Sequence, residues 1–281
     1  MSTFDAFVHT FGTVGTGGFS SKNLSVGAYN STYIHLVVAI FMVISGVNFS
    51  LYYSLFRRKL IDLFKDEELK LYLKIIGISS LAIALDLWLL NYNSIGFSLR
   101  DAFFQVSSIM TTTGYSTVDF DLWPTFSKGI LLMLMFVGAS AGSTGGGMKV
   151  IRILVMLKLI RREVGKVYHP RAVMPIKINN KVMSNETIAR INSFLALYLA
   201  LFLFSTLMVS IEGVDLVTAM SSVAATLGNI GPGLELVGPT LNYDFYSIPT
   251  KLWLSALMLL GRLELFTIIA LVAPKKWRVD V

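Results

Sequence analysis

The chain has 281 residues, of which 54% are hydrophobic and 15% are charged, and it carries a net charge of +7. A soluble domain contains about a quarter charged residues, so this composition excludes a single water-soluble globular core and predicts a membrane protein. The absence of cysteine excludes disulfide bonds and thiolate metal sites.

Five apolar stretches are long enough to cross a membrane, which takes about 20 residues. In chain order they cover residues 33–56, 71–90, 126–160, 188–211 and 248–273. The third stretch is too long for one crossing and contains a Gly- and Ser-rich insert from Gly138 to Gly147. We therefore predict that this third helix is broken by an irregular segment.

Basic residues cluster in segments that connect these stretches. The clusters lie at residues 57–59, 158–181 and 275–278, whereas loops 118–121 and 235–244 lack Lys and Arg and carry acids. Five alternating spans place every basic cluster on one side, which the positive-inside rule makes cytoplasmic. This topological role explains the net charge without a nucleic-acid partner, and it leaves open a docking surface for a soluble protein.

Two segments 96 residues apart repeat the same residue types at the same spacing. Asp-Ala-Phe at 5–7 precedes Thr-Gly-Gly-Phe-Ser at 16–20, and Asp-Ala-Phe at 101–103 precedes Thr-Thr-Gly-Tyr-Ser at 112–116. A third, weaker copy aligns Gly231 with Gly114. Each copy is a short apolar segment followed by a Gly-rich loop, which at membrane depth must be buried in protein or line an aqueous path. We predict re-entrant pore loops; ordinary Gly-rich turns are the alternative.

The composition of these loops favours a monovalent cation. Glycine permits backbone angles that other residues avoid, so successive carbonyl oxygens can face one way and replace an ion's hydration shell. The preceding short helix points the negative end of its dipole toward the loop. No carboxylate lies in residues 15–20, 111–116 or 227–232, although Ca²⁺ and Mg²⁺ favour carboxylates. The sequence therefore predicts a path for a monovalent cation.

Four motifs, at residues 111–120, 138–149, 228–233 and 261–264, occur in a specific order. Together they resemble the Trk/Ktr/HKT superfamily of potassium transporters, and most of all the bacterial Trk-type membrane subunit. The resemblance covers essentially the whole chain. It implies an all-α membrane protein with helix–pore-helix–helix repeats around a pseudo-fourfold pore.

The resemblance also implies a division of the chain into three parts. Residues 1–60 correspond to the pore helix, filter loop and inner helix of repeat 2. Residues 61–165 correspond to repeat 3 with its broken inner helix, and residues 166–281 to repeat 4 with a cytoplasmic linker and a C-terminal tail. The first repeat and the outer helix of the second have no counterpart, so about two and a half of four repeats are present. We interpret the chain as a truncated or partial transporter, because three loops do not close a fourfold filter.

In such a transporter each repeat supplies one filter loop with a key glycine, here Gly18, Gly114 and Gly231. The filter residues expected to bind potassium are Gly15, Thr16, Gly17, Gly18, Thr111, Thr112, Thr113, Gly114, Gly228, Asn229, Ile230 and Gly231.

The Gly-rich insert in the third stretch is the predicted gate, because the resemblance places it as an intramembrane loop below the filter. The gate residues are Gly138, Ala139, Ser140, Ala141, Gly142, Ser143, Thr144, Gly145, Gly146, Gly147, Lys149 and Arg262. Three consecutive glycines disfavour a continuous helix, although a small-residue packing surface is the alternative. An arginine in the middle of a span costs about 2.5–3.5 kcal/mol on insertion scales. We hypothesise that Arg262 holds the loop closed; a structural pair with Glu264 or Asp86 is the alternative.

The predicted function is potassium uptake through a selective, gated pore in the inner membrane of a bacterium. The resemblance implies a homodimer and a cytosolic nucleotide-binding regulatory subunit on the basic face. The alternatives are sodium-permeable or sodium-coupled transport (symport), and a non-conducting truncated membrane subunit. We expect no cofactor besides the transported potassium, and no residue set in the sequence indicates an enzyme.

Overall fold

The computed structural model describes residues 1–57, 65–90, 94–172, 174–263 and 265–266. These residues form ten α-helices and one short antiparallel sheet. The helices are α1 (Thr3–Val14), α2 (Thr32–Ser45), α3 (Phe49–Phe56), α4 (Glu67–Leu89), α5 (Ile95–Met110), α6 (Thr125–Val137), α7 (Val150–Tyr168), α8 (Asn185–Ser210), α9 (Leu216–Gly228) and α10 (Ile248–Arg262). The strands are β1 (Lys177–Ile178) and β2 (Lys181–Val182), with Lys177 opposite Val182.

Two described helices are long and apolar enough to cross a membrane, α4 with 23 residues and α8 with 26. Their outer faces expose large apolar side chains, such as Leu73 and Leu81 of α4 and Leu203 and Leu207 of α8. Soluble monomers rarely expose contiguous apolar patches of this kind. Contact with lipid therefore explains the apolar outer surface of these helices.

The first predicted span, residues 33–56, does not form one straight helix. Helix α2 ends at Ser45, α3 begins at Phe49, and the two are bent by 94°. The side chain of Asn48 accepts a hydrogen bond from the N–H of Ser50 at 2.9 Å and so begins the new helix. Hydropathy alone does not reveal a break of this kind, because both helices are apolar.

The third predicted span is broken, in agreement with its composition. Helix α6 ends at Val137 and α7 begins at Val150, so residues 138–149 form a non-helical segment, here called the insert loop. Helix α10 occupies the first part of the last predicted span. Residue 264, residues 267–273 and the predicted basic residues at 58–59 and 275–278 lie outside the described residues.

The main core lies between α4, α5, α6 and α9. Tyr72 of α4, Val106 of α5, Met135 of α6 and Leu227 of α9 are all fully buried there. The C-terminal parts of the short helices α5 and α9 are thus enclosed by protein. A helix that ends inside the hydrocarbon needs such enclosure, because lipid offers no partner for its terminal polar groups.

Candidate ion-conduction site

Three loops follow the short helices α1, α5 and α9, and they share one backbone conformation. The loops are L1 (residues 15–20), L2 (111–116) and L3 (228–233). In each loop two alternate residues have positive φ. These pairs are Thr16 (48°) and Gly18 (66°), Thr112 (57°) and Gly114 (84°), and Asn229 (57°) and Gly231 (108°). The sequence alignment of the three copies therefore matches a structural alignment.

A left-handed threonine is uncommon, because a β-branched side chain is crowded at positive φ. Thr16 and Thr112 both adopt this conformation, at a cost of about 1–2 kcal/mol each. Strained residues of this kind persist only where the surroundings hold them in place, and they concentrate at functional sites.

The hydrogen bonds that close each loop onto its helix are also equivalent. The N–H groups of Gly17, Thr113 and Ile230 donate to the carbonyls five residues earlier, those of Gly12, Ser108 and Ala225, at 2.8, 2.9 and 2.8 Å. These bonds hold each loop at the C-terminal end of its short helix, where the helix dipole is negative. A cation beside any of the loops meets this favourable field.

The loops contact one another in sequence, L1 against L2 and L2 against L3. A Cβ at Gly18 would lie 1.8 Å from the carbonyl oxygen of Thr113, and a Cβ at Gly114 would lie 1.9 Å from that of Ile230. Both positions therefore require glycine for space as well as for φ. At Gly231 the same direction leads into open space.

The later residues of the three loops line one cavity of about 610 Å³. From the predicted filter set it is lined by Gly17, Gly18, Thr113, Gly114, Ile230 and Gly231. The key glycines of all three copies are thus brought together rather than scattered.

The other predicted filter residues lie nearer the insert loop, α10 or the helix ends. The Gly15 N–H donates to Phe11 at the end of α1, and Thr16 Oγ1 donates to the carbonyl of Gly15. The Asn229 side chain donates to the carbonyl of Met258 in α10 at 2.9 Å. Thr111, Thr112 and Gly228 meet the insert loop.

The insert loop closes on itself at its two ends. The N–H of Val150 donates to the carbonyl of Ala139 at 3.0 Å, and the backbones of Gly138 and Gly147 are in contact. Positive φ at Gly138, Gly147 and Lys149 produces the turns that this closure requires. The segment is therefore a compact loop and not a helix-packing surface.

The middle of the insert loop touches the ends of all three short helices. Thr144 Oγ1 donates to the carbonyl of Val14 at the end of α1, at 3.1 Å. The N–H of Gly146 donates to Thr112 Oγ1 at 2.6 Å, after the end of α5. A Cβ at Gly146 would lie 2.5 Å from the carbonyl oxygen of Gly228, the last residue of α9. The loop thus lies across the place where the three helices end.

Three basic residues surround a small cavity of about 40 Å³ beside the insert loop, namely Lys149, Arg152 and Arg262. Lys149 Nζ donates to the carbonyl of Gly145 inside the loop. The guanidinium of Arg152 lies over the ring of Phe194, 3.7 Å from its centroid. Arg152 was not among the predicted site residues. Its position as a charged residue inside an apolar stretch could have identified it.

Arg262 lies beside the insert loop, where the gate hypothesis requires it. Glu264 and Asp86 were the two alternative partners predicted for Arg262. Glu264 lies outside the described residues, and Asp86 accepts a hydrogen bond from the Ser127 hydroxyl at 2.6 Å.

Two tyrosines donate hydrogen bonds to carbonyls of L1 and L3 from outside those two loops, and neither was predicted as a site residue. Tyr115 donates to the carbonyl of Phe19 in L1 at 3.1 Å, and Tyr243 donates to that of Gly231 in L3 at 2.8 Å. No sequence signal marks such bonds, because the acceptors are backbone atoms.

The oxygen atoms of the three loops belong to backbone carbonyls, to hydroxyls and to the side-chain amide of Asn229, and none belongs to a carboxylate. Within the described part of the chain, no group of three or more His, Cys, Asp or Glu residues is placed to hold a metal ion. The site therefore suits a weakly held monovalent cation better than a divalent one.

A sequence profile of TrkH, a cation transport protein family, matches residues 1–278. The chain belongs to this family. It is 39% identical to the Trk system potassium uptake protein TrkH of Escherichia coli K12 over 280 residues, which are 99% of this chain and 58% of that protein. It is 40% identical to the protein of the same name from Salmonella typhimurium, with the same coverage.

The crystal structure of the potassium transporter TrkH from Vibrio parahaemolyticus has the same fold. The two superpose with a TM-score of 0.91 at 37% identity, over 99% of this chain and 60% of that one. This likeness confirms the predicted family and the helical membrane fold, and membership of a transporter family agrees with the prediction that the chain is not an enzyme. The chain spans about three fifths of the length of the relatives that it matches.

Proposed function

We propose that this chain supplies most of a potassium-selective pore for ion uptake across the cytoplasmic membrane of a bacterium. The observation that carries the proposal is the convergence of L1, L2 and L3 on one cavity with equivalent backbone angles. The relatives in Escherichia coli and Salmonella are potassium uptake proteins by name, which supports potassium as the ion.

In this proposal the twelve predicted residues of L1, L2 and L3 form the selectivity filter, with backbone and threonine oxygens replacing water around the ion. The positive φ values at alternate positions turn neighbouring carbonyls in a way that a regular strand or helix does not allow. The dipoles of α1, α5 and α9 add a negative potential at the same place. Potassium acts as the transported substrate and not as a resident cofactor.

The filter has an open side in the part that this chain supplies. Gly18 and Gly114 each meet the next loop, whereas the equivalent direction at Gly231 is empty. We infer that a fourth loop from outside these 281 residues closes the ring. A filter of three loops would leave the ion partly hydrated on one side.

The insert loop acts as the gate in this proposal, in its closed position. The support for this role is that the loop contacts Val14, Thr112 and Gly228, at the ends of the three short helices. Ions pass only when these contacts break and the loop moves aside. Lys149 and Arg262 add a positive barrier beside it, and Arg262 helps to hold it closed.

A cytosolic nucleotide-binding subunit is the proposed regulator, and a homodimer the proposed assembly. The basic C-terminal end of α7, together with the segment that follows it, offers a surface for such a subunit. Arg162 and Lys166 line a cavity of about 440 Å³ there, together with Met183 and other residues of the segment between α7 and α8.

The experiment that tests the proposal is rescue of a potassium-uptake-deficient bacterium by the transporter that carries this chain. Gly114→Ala should abolish rescue, because the new Cβ has no room beside the Ile230 carbonyl and φ is positive. Gly77→Ala on α4 is the matched control, since its Cβ meets no atom within 4 Å. The proposal fails if the Gly114→Ala protein reaches the membrane in normal amount and still takes up potassium at the rate of the control.

A comparison of this chain alone with the same chain joined to its upstream genomic sequence tests the inferred fourth loop. We expect rescue only from the longer protein. Full rescue by these 281 residues alone would contradict the inferred fourth loop and leave the role of Gly114 to the first experiment.

A further inference from the structure

The carboxylate of Glu68 is buried at the N-terminal end of α4, where only 5% of the residue is exposed. Its Oε1 atom accepts two backbone hydrogen bonds, from the N–H of Ala141 at 2.7 Å and from the N–H of Ile151 at 3.1 Å. A buried carboxylate is costly unless hydrogen bonds compensate it. Its position therefore calls for a specific role.

The two donors lie near opposite ends of the insert loop. Ala141 is within the loop, and Ile151 is the second residue of α7, whose first N–H groups have no partner inside the helix. One oxygen atom thus bonds both sides of the loop. A negative charge at the N-terminus of α7 is also favoured by the dipole of that helix.

The same end of α4 is tied to the hairpin formed by β1 and β2. The Asn179 side chain donates to Asp66 Oδ2 at 2.7 Å and accepts from the N–H of Glu67 at 2.9 Å. Asn179 lies in the turn of the hairpin at a positive φ of 49°. Lys158 adds a second link, since its Nζ donates both to Glu67 and to the carbonyl of Lys177 in β1.

Residues 66–68 therefore connect two parts of the chain that are distant in sequence. Asp66 and Glu67 contact the hairpin, and Glu68 contacts the insert loop. These three residues are consecutive and α4 begins at Glu67, so one short segment joins the hairpin to the carboxylate that bonds the insert loop.

We propose that Glu68 is a positioning residue that holds the insert loop closed, and that the β1–β2 hairpin sets the position of Glu68 through Asn179. This inference rests on the proposed role of the insert loop as the gate. In this account a conformational change outside the membrane acts on the hairpin. The carboxylate of Glu68 transmits that change from the hairpin to the insert loop.

The test uses the assembled transporter in lipid nanodiscs and in planar bilayers. Glu68→Gln keeps the size of the side chain and its acceptor oxygen but removes the charge that strengthens both bonds. Glu163→Gln is the matched control, because Glu163 is an exposed carboxylate on α7 bonded to Lys166 and Arg162. Amide exchange in α8 reports whether each variant is folded.

Two measurements are made on each variant. Hydrogen–deuterium exchange of residues 138–151 reports whether the loop is held, and single-channel recording reports the ratio of open to closed time. For Glu68→Gln we expect faster exchange in this segment and a roughly tenfold higher ratio. Unitary conductance and potassium-over-sodium selectivity should not change, since the filter is untouched. Glu163→Gln should match the unmodified protein in all four readouts.

The contribution of the hairpin is tested by Asn179→Ala in both backgrounds. Since Asn179 acts through Glu68 in this account, its substitution should raise the open ratio in the unmodified protein and have little further effect in Glu68→Gln. Equal effects in the two backgrounds would overturn the link to the hairpin.

The remaining outcomes separate this inference from the proposed function. Unchanged amide exchange of residues 138–151 in the Glu68→Gln protein overturns the positioning role of Glu68, whether or not the insert loop is the gate. Faster exchange with an unchanged open ratio overturns the role of the insert loop as the gate.

Discussion

Thr112→Val is the substitution that tests the contact between the proposed filter and the proposed gate. The side chain keeps its shape, and among the described residues its hydroxyl oxygen accepts one hydrogen bond, from the Gly146 N–H at 2.6 Å. Thr112 is fully buried and Gly146 is buried too, so no water replaces the lost acceptor while the loop stays closed.

The expected magnitude follows from the cost of an unpaired buried donor. Leaving the Gly146 N–H without an acceptor costs about 1–3 kcal/mol, and this cost falls only on the closed state. The ratio of open to closed transporter should therefore rise roughly 5- to 150-fold. Because valine is β-branched like threonine, the strain at positive φ changes little and the backbone carbonyl of residue 112 is retained. Each open pore should therefore still conduct, although it lacks one hydroxyl oxygen of the proposed filter.

Single-channel recording in planar bilayers measures both quantities in one experiment. Thr226→Val is the matched control, since the Thr226 hydroxyl donates to the carbonyl of Ser222 within α9 and does not reach the insert loop. We expect no change in opening for this control. The reasoning is refuted if Thr112→Val opens no more often than Thr226→Val does.

Three further substitutions test neighbouring parts of the site. Gly18→Ala should abolish potassium uptake in the bacterial rescue assay, because its Cβ would lie 1.8 Å from the Thr113 carbonyl; rescue equal to that of Gly129→Ala, whose Cβ meets nothing, would contradict this. Tyr243→Phe removes the bond to the Gly231 carbonyl and should lower the potassium-over-sodium permeability ratio about 2- to 10-fold, as read from reversal potentials. An unchanged ratio would show that this bond does not position L3. Arg262→Ala removes a positive charge beside the insert loop and should raise rubidium flux into proteoliposomes, whereas equal flux would count against its part in closure.

The three loops could be predicted from the sequence because the chemistry they require is restrictive. Positions 18 and 114 need both positive φ and the absence of a Cβ, so only glycine fits there. The spacing between these two glycines is the same as the spacing between the two structural copies. The same holds for the insert loop, where consecutive glycines disfavour a helix. The family resemblance adds the prediction that the insert loop lies beside these loops, and the Gly146 N–H bonds Thr112 of L2.

Other features of the site left no pattern in the sequence. The acidic residues 66–68 read as the ordinary start of a helix, and only the fold brings Glu68 to Ala141. Tyr243 bonds a backbone carbonyl, which any residue possesses. The bend after Ser45 was hidden because apolar residues continue on both sides of it. Long-range hydrogen bonds to backbone atoms depend on tertiary structure and therefore cannot be predicted from the spacing of residues in the sequence.

Locating the ion itself tests the central claim most directly. Anomalous diffraction from rubidium or thallium soaked into crystals of the assembled transporter would mark the binding position. The account predicts a peak among the carbonyl oxygens of L1, L2 and L3, close to Gly18, Gly114 and Gly231, that weakens when potassium competes. A peak elsewhere in the membrane region, with none among these loops, would contradict it.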